Sequence, residues 1–539
     1  MTSAITALTA LASLATAPPE GFSVGIELPN QVPVVPAVER ALDDMDIDYV
    51  NFYINTQPPG GHDEPWEETL PQLTSLCERL GLDFSLSCHI VEPPEEAVRR
   101  MVDTYGEDAD IRFEGVVWDE LAHIRIMHFV DVEGLAPTDD CTTFEEAYDV
   151  ALEDYKQIVA RYQEVGCPVT ATHVLPILNH LAARSGMTPC PKICKELFSP
   201  ISLALGMGAA KQYDRPLWVD CDLWYYDLLP GHGAEEFRSN LLLAYWMGAD
   251  RVYVEGAGFN LLPSGRSGIP VSLMTPIRGD LYHLTPHGEV LRWFCREYLP
   301  SHPRPYTFRD LTPQVVIVRA DDTCHGQRYS GFDDELFGSP HLHSDASTEA
   351  WFALWDVLTQ GHAGRDGLTF FKSKLGPAGA GRPMDLEKGF MPSYSTRPLQ
   401  AEQHPFWTPL SGVVVYDHTV GYDLLANVPL ICVTGTRVSD ETWAALERRV
   451  EEGAVCLCWA PLARERGMET VGPMTVIERG GGKWVLTDDF GRAEVFQQIW
   501  PWVGRPDEIR YRFGNEETVL RMVTGNEVRV ERYSHGEAR

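Results

Sequence analysis

Two glutamates stand where a buried stretch of chain gives out. Glu120 closes the run GVVWDE, and Glu255 closes RVYVE and is followed by Gly256 and Gly258. A carboxylate directly after Val, Trp and Tyr emerges from a packed core rather than from a solvated turn. Two such groups facing across a cleft suit cleavage of a glycosidic bond: one protonated to help the leaving oxygen depart, the other ionised to attack or to activate water. Burial and mutual repulsion separate the two pKa values enough for both roles. Polar residues also end the neighbouring runs: Glu27, Asn55, His89 with Glu92 beyond it, Asp119, His173, Asp220 and Asp222. The run through Asp222 continues as LWYYD. Trp224, Tyr225 and Tyr226 there offer an apolar platform for a sugar face, with Asp222 or Asp227 for its hydroxyls. Trp66 and Trp118 are further aromatic candidates. The plainer alternative is that strand ends are polar because they meet solvent and that the aromatics anchor a loop.

The elements that must position these residues alternate along the chain. Short apolar runs lie at Phe22–Leu28, Tyr49–Asn55, Asp83–Ile90, Phe113–Glu120, Pro168–Leu175, Pro216–Asp222 and Arg251–Gly256, with an eighth near Asp280–Leu284. Amphipathic segments such as Pro94–Tyr105, Phe144–Val165, Ala234–Met247 and Pro286–Leu299 fall between them. Eight strand–helix units predict a (β/α)8 barrel, an α/β fold whose site lies at the C-terminal ends of the strands. In this count Glu120 ends the fourth strand and Glu255 the seventh. A doubly wound sheet is the competitor, but no Gly-rich phosphate loop follows the first run.

A Pro-rich hinge, Leu299–Tyr306, follows, and the alternation then resumes. Strands are expected at Val315–Arg319, Gly412–Asp417, Leu430–Thr434 and Ala454–Trp459, helices at Thr348–Gly361 and Ser439–Gly453, and a long Gly- and Pro-rich loop at Leu375–Phe406. Alternating residues at Glu508–Phe513, Thr518–Val523 and Glu527–Tyr533, with Gly-Asn turns between them, predict a small β unit. The expected division is 1–305 barrel, 306–505 second α/β domain and 506–539 β unit. The second domain has no Gly-x-Cys-x-Gly elbow to carry a nucleophile. Its Cys456 and Cys458 sit in an apolar strand as packing residues, so the domain reads as non-catalytic.

Composition narrows the partners. The formal charge is −34, with 8 Lys against 36 Arg, so phosphate backbones and anionic lipid are repelled. Either a salt-adapted cytosol or a GC-rich genome accounts for that balance. No run reaches the roughly 18 apolar residues of a spanning helix. The 12 cysteines form no CxxC pair and fit buried thiols of a reducing, cytoplasmic compartment. Cys190 and Cys194 have the spacing of two metal ligands but lack a second pair. Met1–Ala17 lacks a basic segment and reads as a helix capping the first domain rather than as a signal peptide.

Glutamates ending strands 4 and 7 resemble the signature of the large clan of retaining (β/α)8 glycoside hydrolases. The order barrel, α/β domain, β unit resembles family 42 β-galactosidases, and the segment VSDETWAALERRVEEGAVCLCWAP resembles their glutamine-amidotransferase-like middle domain. The resemblance implies Glu120 as acid/base, Glu255 as nucleophile, β-galactosidase-like exo-action, a carbohydrate substrate, no cofactor, and a homo-oligomer, a trimer in that family. The chain departs from the pattern in having Asp119 where the clan has Asn, and in lacking that family's four-cysteine zinc cluster. Two rival readings use the same positions. Glu27, His89, Glu120, His173, Asp220 and Glu255 could hold a divalent metal in a sugar isomerase or lyase. A carbohydrate-binding barrel without catalysis is the other.

Overall fold

The computed structural model describes residues 21–29, 36–53, 66–88, 93–106, 109–120, 138–173, 178–194, 199–223, 233–255, 273–319, 335–337, 339–343, 345–363, 408–524 and 527–535. Eight parallel strands close into a barrel in chain order: β1 (Ser23–Pro29), β2 (Tyr49–Tyr53), β3 (Asp83–Cys88), β4 (Phe113–Asp119), β5 (Val169–His173), β6 (Thr188–Ile193), β7 (Trp218–Asp222) and β8 (Arg251–Glu255). A helix follows each strand, from Pro36–Met45 after β1 to Pro286–Trp293 after β8. The (β/α)8 expectation holds, but the strand count needs correction. Thr188–Ile193 is the sixth strand, so the runs through Asp222 and Glu255 are the seventh and eighth. Asp280–Leu284 contributes no barrel strand. Its Leu281–Leu284 forms an antiparallel hairpin with Met274–Arg278.

The barrel interior is packed, not hollow. Arg251 plugs the N-terminal end, its guanidinium 4.2 Å from the centres of both the Tyr49 and Trp218 rings and 3.2 Å from Glu114. Above it Tyr49, Val117, Cys190, Trp218 and Tyr253 form an inner layer. A polar chain then climbs toward the mouth. The single Ser85 hydroxyl proton goes to Asn51 Oδ1 at 2.6 Å, so Ser85 accepts from Tyr49, and Asn51 Nδ2 donates to Glu27 at 3.3 Å.

Beyond the barrel lies a six-stranded sheet in the order Val413–Asp417, Val315–Arg319, Leu430–Thr434, Val455–Trp459, Gly482–Thr487, Met474–Arg479, parallel except for its last pair. A four-stranded sheet joins Leu410–Ser411 to Glu508–Phe513, Glu516–Met522 and Val528–Ser534. The strands expected in both regions are present. Those at Met474–Arg479 and Gly482–Thr487 were not anticipated, because Gly480, Gly481 and Gly482 break the alternation. The expected loop Leu375–Phe406 and the N-terminal segment lie outside the described residues. No described helix is long and apolar enough to cross a membrane.

The barrel and the six-stranded sheet share one join. The helix Ser199–Gln212 is buried through Ala210 and lies along the edge strand Val413–Asp417. Side chains satisfy that edge: His180 Nε2 donates to Val415 O at 2.9 Å, Tyr511 Oη to Val413 O at 2.9 Å, and Gln212 Oε1 accepts from Asp417 N at 2.8 Å. Gly208 makes the close approach possible, since a Cβ there would fall 1.6 Å from Val415 O. Helix propensity alone would have Gly208→Ala stabilise the fold by about 1 kcal/mol. The clash reverses that sign: Gly208→Ala is expected to destabilise by about 3 kcal/mol, measured by denaturant unfolding. An unchanged or raised midpoint would show that the join is looser than drawn.

Candidate active site at the barrel mouth

Strand geometry brings six carboxylates and one lysine together. In β4 a bulge at Glu114 and Gly115 shifts the pairing, so that Phe84 opposes Phe113 while Leu86 opposes Val116. The extra residue turns Phe113, Val116 and Trp118 outward and sends Val117 and Asp119 inward. Gly115 has φ +102 and its absent Cβ would meet Pro168 O at 2.2 Å, so only glycine fits. Asp119 and Glu120 are consecutive and in extended chain would point to opposite faces. Glu120 instead adopts φ 52, a left-handed conformation that costs a non-glycine residue about 1 kcal/mol. That turn brings both side chains to the barrel axis. Strain of this kind concentrates at functional sites.

The hub is Lys192, on β6, whose exposure is 2%. Its Nζ lies 2.9 Å from Asp119 Oδ1, 3.0 Å from Glu120 Oε1, 3.4 Å from Asp222 and 3.6 Å from Asp220, and it donates to Glu255 Oε2. Burial by itself lowers the pKa of this amine. Asp119, Glu120, Glu255 and Asp222 outweigh burial and hold its pKa well above the usual lysine value. Asp220 also accepts from Thr172 and Tyr253, each at 3.1 Å. Burial first, and Glu255 second, push the Asp220 carboxyl well up. Glu27 is pushed up likewise, by burial and then by Glu255 and Asp119. Tyr53 stays a phenol, its pKa raised by burial and then by Asp119, Glu27 and Glu255.

Exposure separates the acids. Asp220 and Asp222 are fully enclosed, Glu27 is 1% and Asp119 3% exposed, whereas Glu120 and Glu255 reach 8% and 7%. The two nearest solvent lie just past β4 and at the end of β8, strands four apart in a ring of eight and so opposite each other. Glu120 and Glu255 therefore follow strands 4 and 8, not 4 and 7, so the pair lacks the strand placement on which the clan resemblance rested, and strand 7 ends in Asp222.

The structure thus gathers Glu27, Asp119, Glu120, Asp220, Asp222 and Glu255 into one cluster. His173 ends β5. Asn55, His89, Trp224 and Tyr226 lie outside the described residues, as do Glu92, Tyr225 and Asp227. Trp66 begins the helix Trp66–Leu80. Trp118 faces away from the site, edge-on to Tyr162 at 6.5 Å between centres. Cys190 and Cys194 do not act as a ligand pair. Cys190 packs in the inner layer, and Cys194 Sγ lies 3.6 Å from Cys221 Sγ.

Sequence reasoning missed Lys192 because Pro189 and Pro191 argue against a central strand. In place, the prolines face outward, Pro191 against Gly206, and Thr188, Cys190 and Lys192 point in. The available signal was a gap: two helical segments, Leu178–Ser185 and Ser199–Gln212, follow each other with a strand owed between them.

Neither a family model nor a curated protein sequence matches this chain. Among solved structures, an exo-β-1,4-mannosidase from Opitutaceae bacterium strain TAV5 is similar at 12% identity and TM-score 0.47, over 89% of this chain and 93% of that one. A broad-specificity endoglucanase from an uncultured bacterium is similar at 10% identity and TM-score 0.30, over 45% and 89%. A β-mannanase from Thermomonospora fusca in complex with mannohexaose is similar at 9% identity and TM-score 0.29, over 52% and 92%. These are likenesses of fold.

Proposed function

We propose that this protein is a glycoside hydrolase working by double displacement, with Glu255 as nucleophile and Glu120 as acid/base. One observation carries this reading. The two most exposed carboxylates of the cluster approach from opposite strands and meet at one ammonium, so they flank a common space. A separation of roughly 5–5.5 Å between the two carboxyl groups is what double displacement requires, and roughly 6.5–9.5 Å would instead admit a water between them. Glu255 accepts from Lys192 through Oε2 and ends its strand, whereas Glu120 lies one residue past the end of β4. The surrounding negative charge favours the positively charged transition state of glycosyl transfer.

The order of barrel, α/β sheet and β unit, which is what the strand correction leaves of the resemblance, adds the finer form, β-galactosidase-like removal of a terminal sugar. It also makes residues 306–505 a non-catalytic, amidotransferase-like domain serving a homo-oligomer. In support of the non-catalytic part, Cys456 and Cys458 are fully buried, and burial pushes both thiols up, away from the reactive thiolate.

The test is a panel of 4-nitrophenyl glycosides, with proton NMR of the first product formed. Hydrolysis with retained anomeric configuration is expected. Inversion would overturn double displacement, and no turnover of any glycoside would overturn the hydrolase.

A metal-dependent isomerase or lyase is the second reading, because oxygens of Asp119, Asp220 and Glu255 lie within 4.8 Å of one another. Lys192 already meets all three. A divalent cation there would have to displace a buried ammonium, so hydrolysis should survive dialysis against EDTA. Activity lost to EDTA and restored by a divalent metal would favour the second reading.

A further inference from the structure

Lys192 has no place in a two-glutamate scheme, yet it is the most heavily coordinated side chain in the site. Resting on the hydrolase reading, we infer that Lys192 is a positioning residue for the second half-reaction: its ammonium holds one oxygen of Glu255 and stabilises that carboxylate as it leaves the sugar.

The contact is made through Oε2 of Glu255. Oε1 is then the oxygen that bonds to the anomeric carbon. In the first step that bond forms and the sugar–oxygen bond to the leaving group breaks, its electron pair taking the proton from Glu120. Glu255 becomes a neutral ester, and its attraction to the ammonium falls. In the second step water attacks the anomeric carbon and gives a proton to Glu120. The bond to Oε1 breaks with its electron pair, and the carboxylate returns. Negative charge therefore develops beside Lys192 only as the ester breaks. An interaction stronger in the transition state than in the intermediate accelerates that step. In the first step the same contact is strongest in the ground state and gives no such help.

The placement fits this role. Lys192 Nζ is enclosed, so the charge is not diluted by water, and Glu27 from β1, Tyr53 from β2, Asp119 and Glu120 from β4, and Asp220 and Asp222 from β7 all face the same space as Glu255. Those carboxylates keep the amine protonated throughout, so it donates and does not attack.

The experiment uses the full chain and whichever 2,4-dinitrophenyl glycoside it hydrolyses. Lys192→Met and Lys192→Gln are expected to release a burst of dinitrophenol equal to the enzyme, followed by steady turnover about tenfold to a hundredfold slower. KM should fall in parallel, leaving kcat/KM nearly unchanged. Lys192→Arg keeps the charge and should show no burst. A folded Lys192→Met or Lys192→Gln with no burst overturns the inference while the hydrolase stands. If neither variant folds, Lys192 is a structural counter-charge and the inference is likewise overturned. If the unaltered protein hydrolyses no glycoside, the hydrolase reading itself falls, and this inference with it.

Discussion

Glu255→Gln is expected to lower turnover on the order of 10⁴-fold or more with the fold intact. The amide keeps the shape of the side chain and can still accept from Lys192, but it cannot form the ester. The contrast with the buried neighbours makes the result informative. Asp222 opposes Glu255 across the β7–β8 pairing and is fully enclosed. Asp222→Asn should weaken activity far less if Glu255 is the nucleophile. Steady-state kinetics on an activated aryl glycoside, with circular dichroism to check folding, measures both. Near-normal turnover by Glu255→Gln would remove it from the chemistry and bring Asp119, Asp220 and Asp222 forward.

Glu120→Ala should show a dependence on the leaving group. Substrates with poor leaving groups need its proton and are expected to slow about 10²–10⁴-fold. Dinitrophenyl glycosides need little protonation, so their first step survives and the glycosyl-enzyme waits for a general base that is gone. Azide fits the space left by the side chain and attacks without one. Added azide should restore turnover and give a glycosyl azide of retained configuration, identifiable by NMR. Rescue of Glu255→Ala instead, with an inverted product, would exchange the two roles.

The backbone of the site was legible in the sequence because seven of its eight strands are short apolar runs ended by a polar residue. Glu27, Asp119, Glu120, Asp220, Asp222 and Glu255 could be found by asking which carboxylates follow a run that must be buried. What could not be read is the bulge at Gly115 and the left-handed turn at Glu120, which together let two consecutive acids face one cation. Spacing alone assigns only one of them to the barrel interior. Lys192 was hidden for a different reason. Its strand is written TPCPKI, and prolines that normally exclude a central strand are tolerated where they face the helix Ser199–Gln212. The lost strand then moved every later count by one, and Leu281–Leu284, a solvent-side hairpin strand, was drawn in to make up eight.

The join between barrel and sheet bears on whether the barrel has an independent existence. Ser199–Gln212 is apolar on every side, as a helix inside a large protein is, and not on one stripe, as a barrel's outer helix is when it meets water. Val413–Asp417 for its part is an edge strand whose polar groups are met by His180 and Gln212 of the barrel and by Tyr511 of the four-stranded sheet. A barrel severed at Leu299–Tyr306 would present a bare greasy helix, and the remainder a bare strand edge open to pairing with other chains. Each half conceals the other's aggregation hazard. Either half expressed alone is therefore expected to aggregate where the intact chain does not.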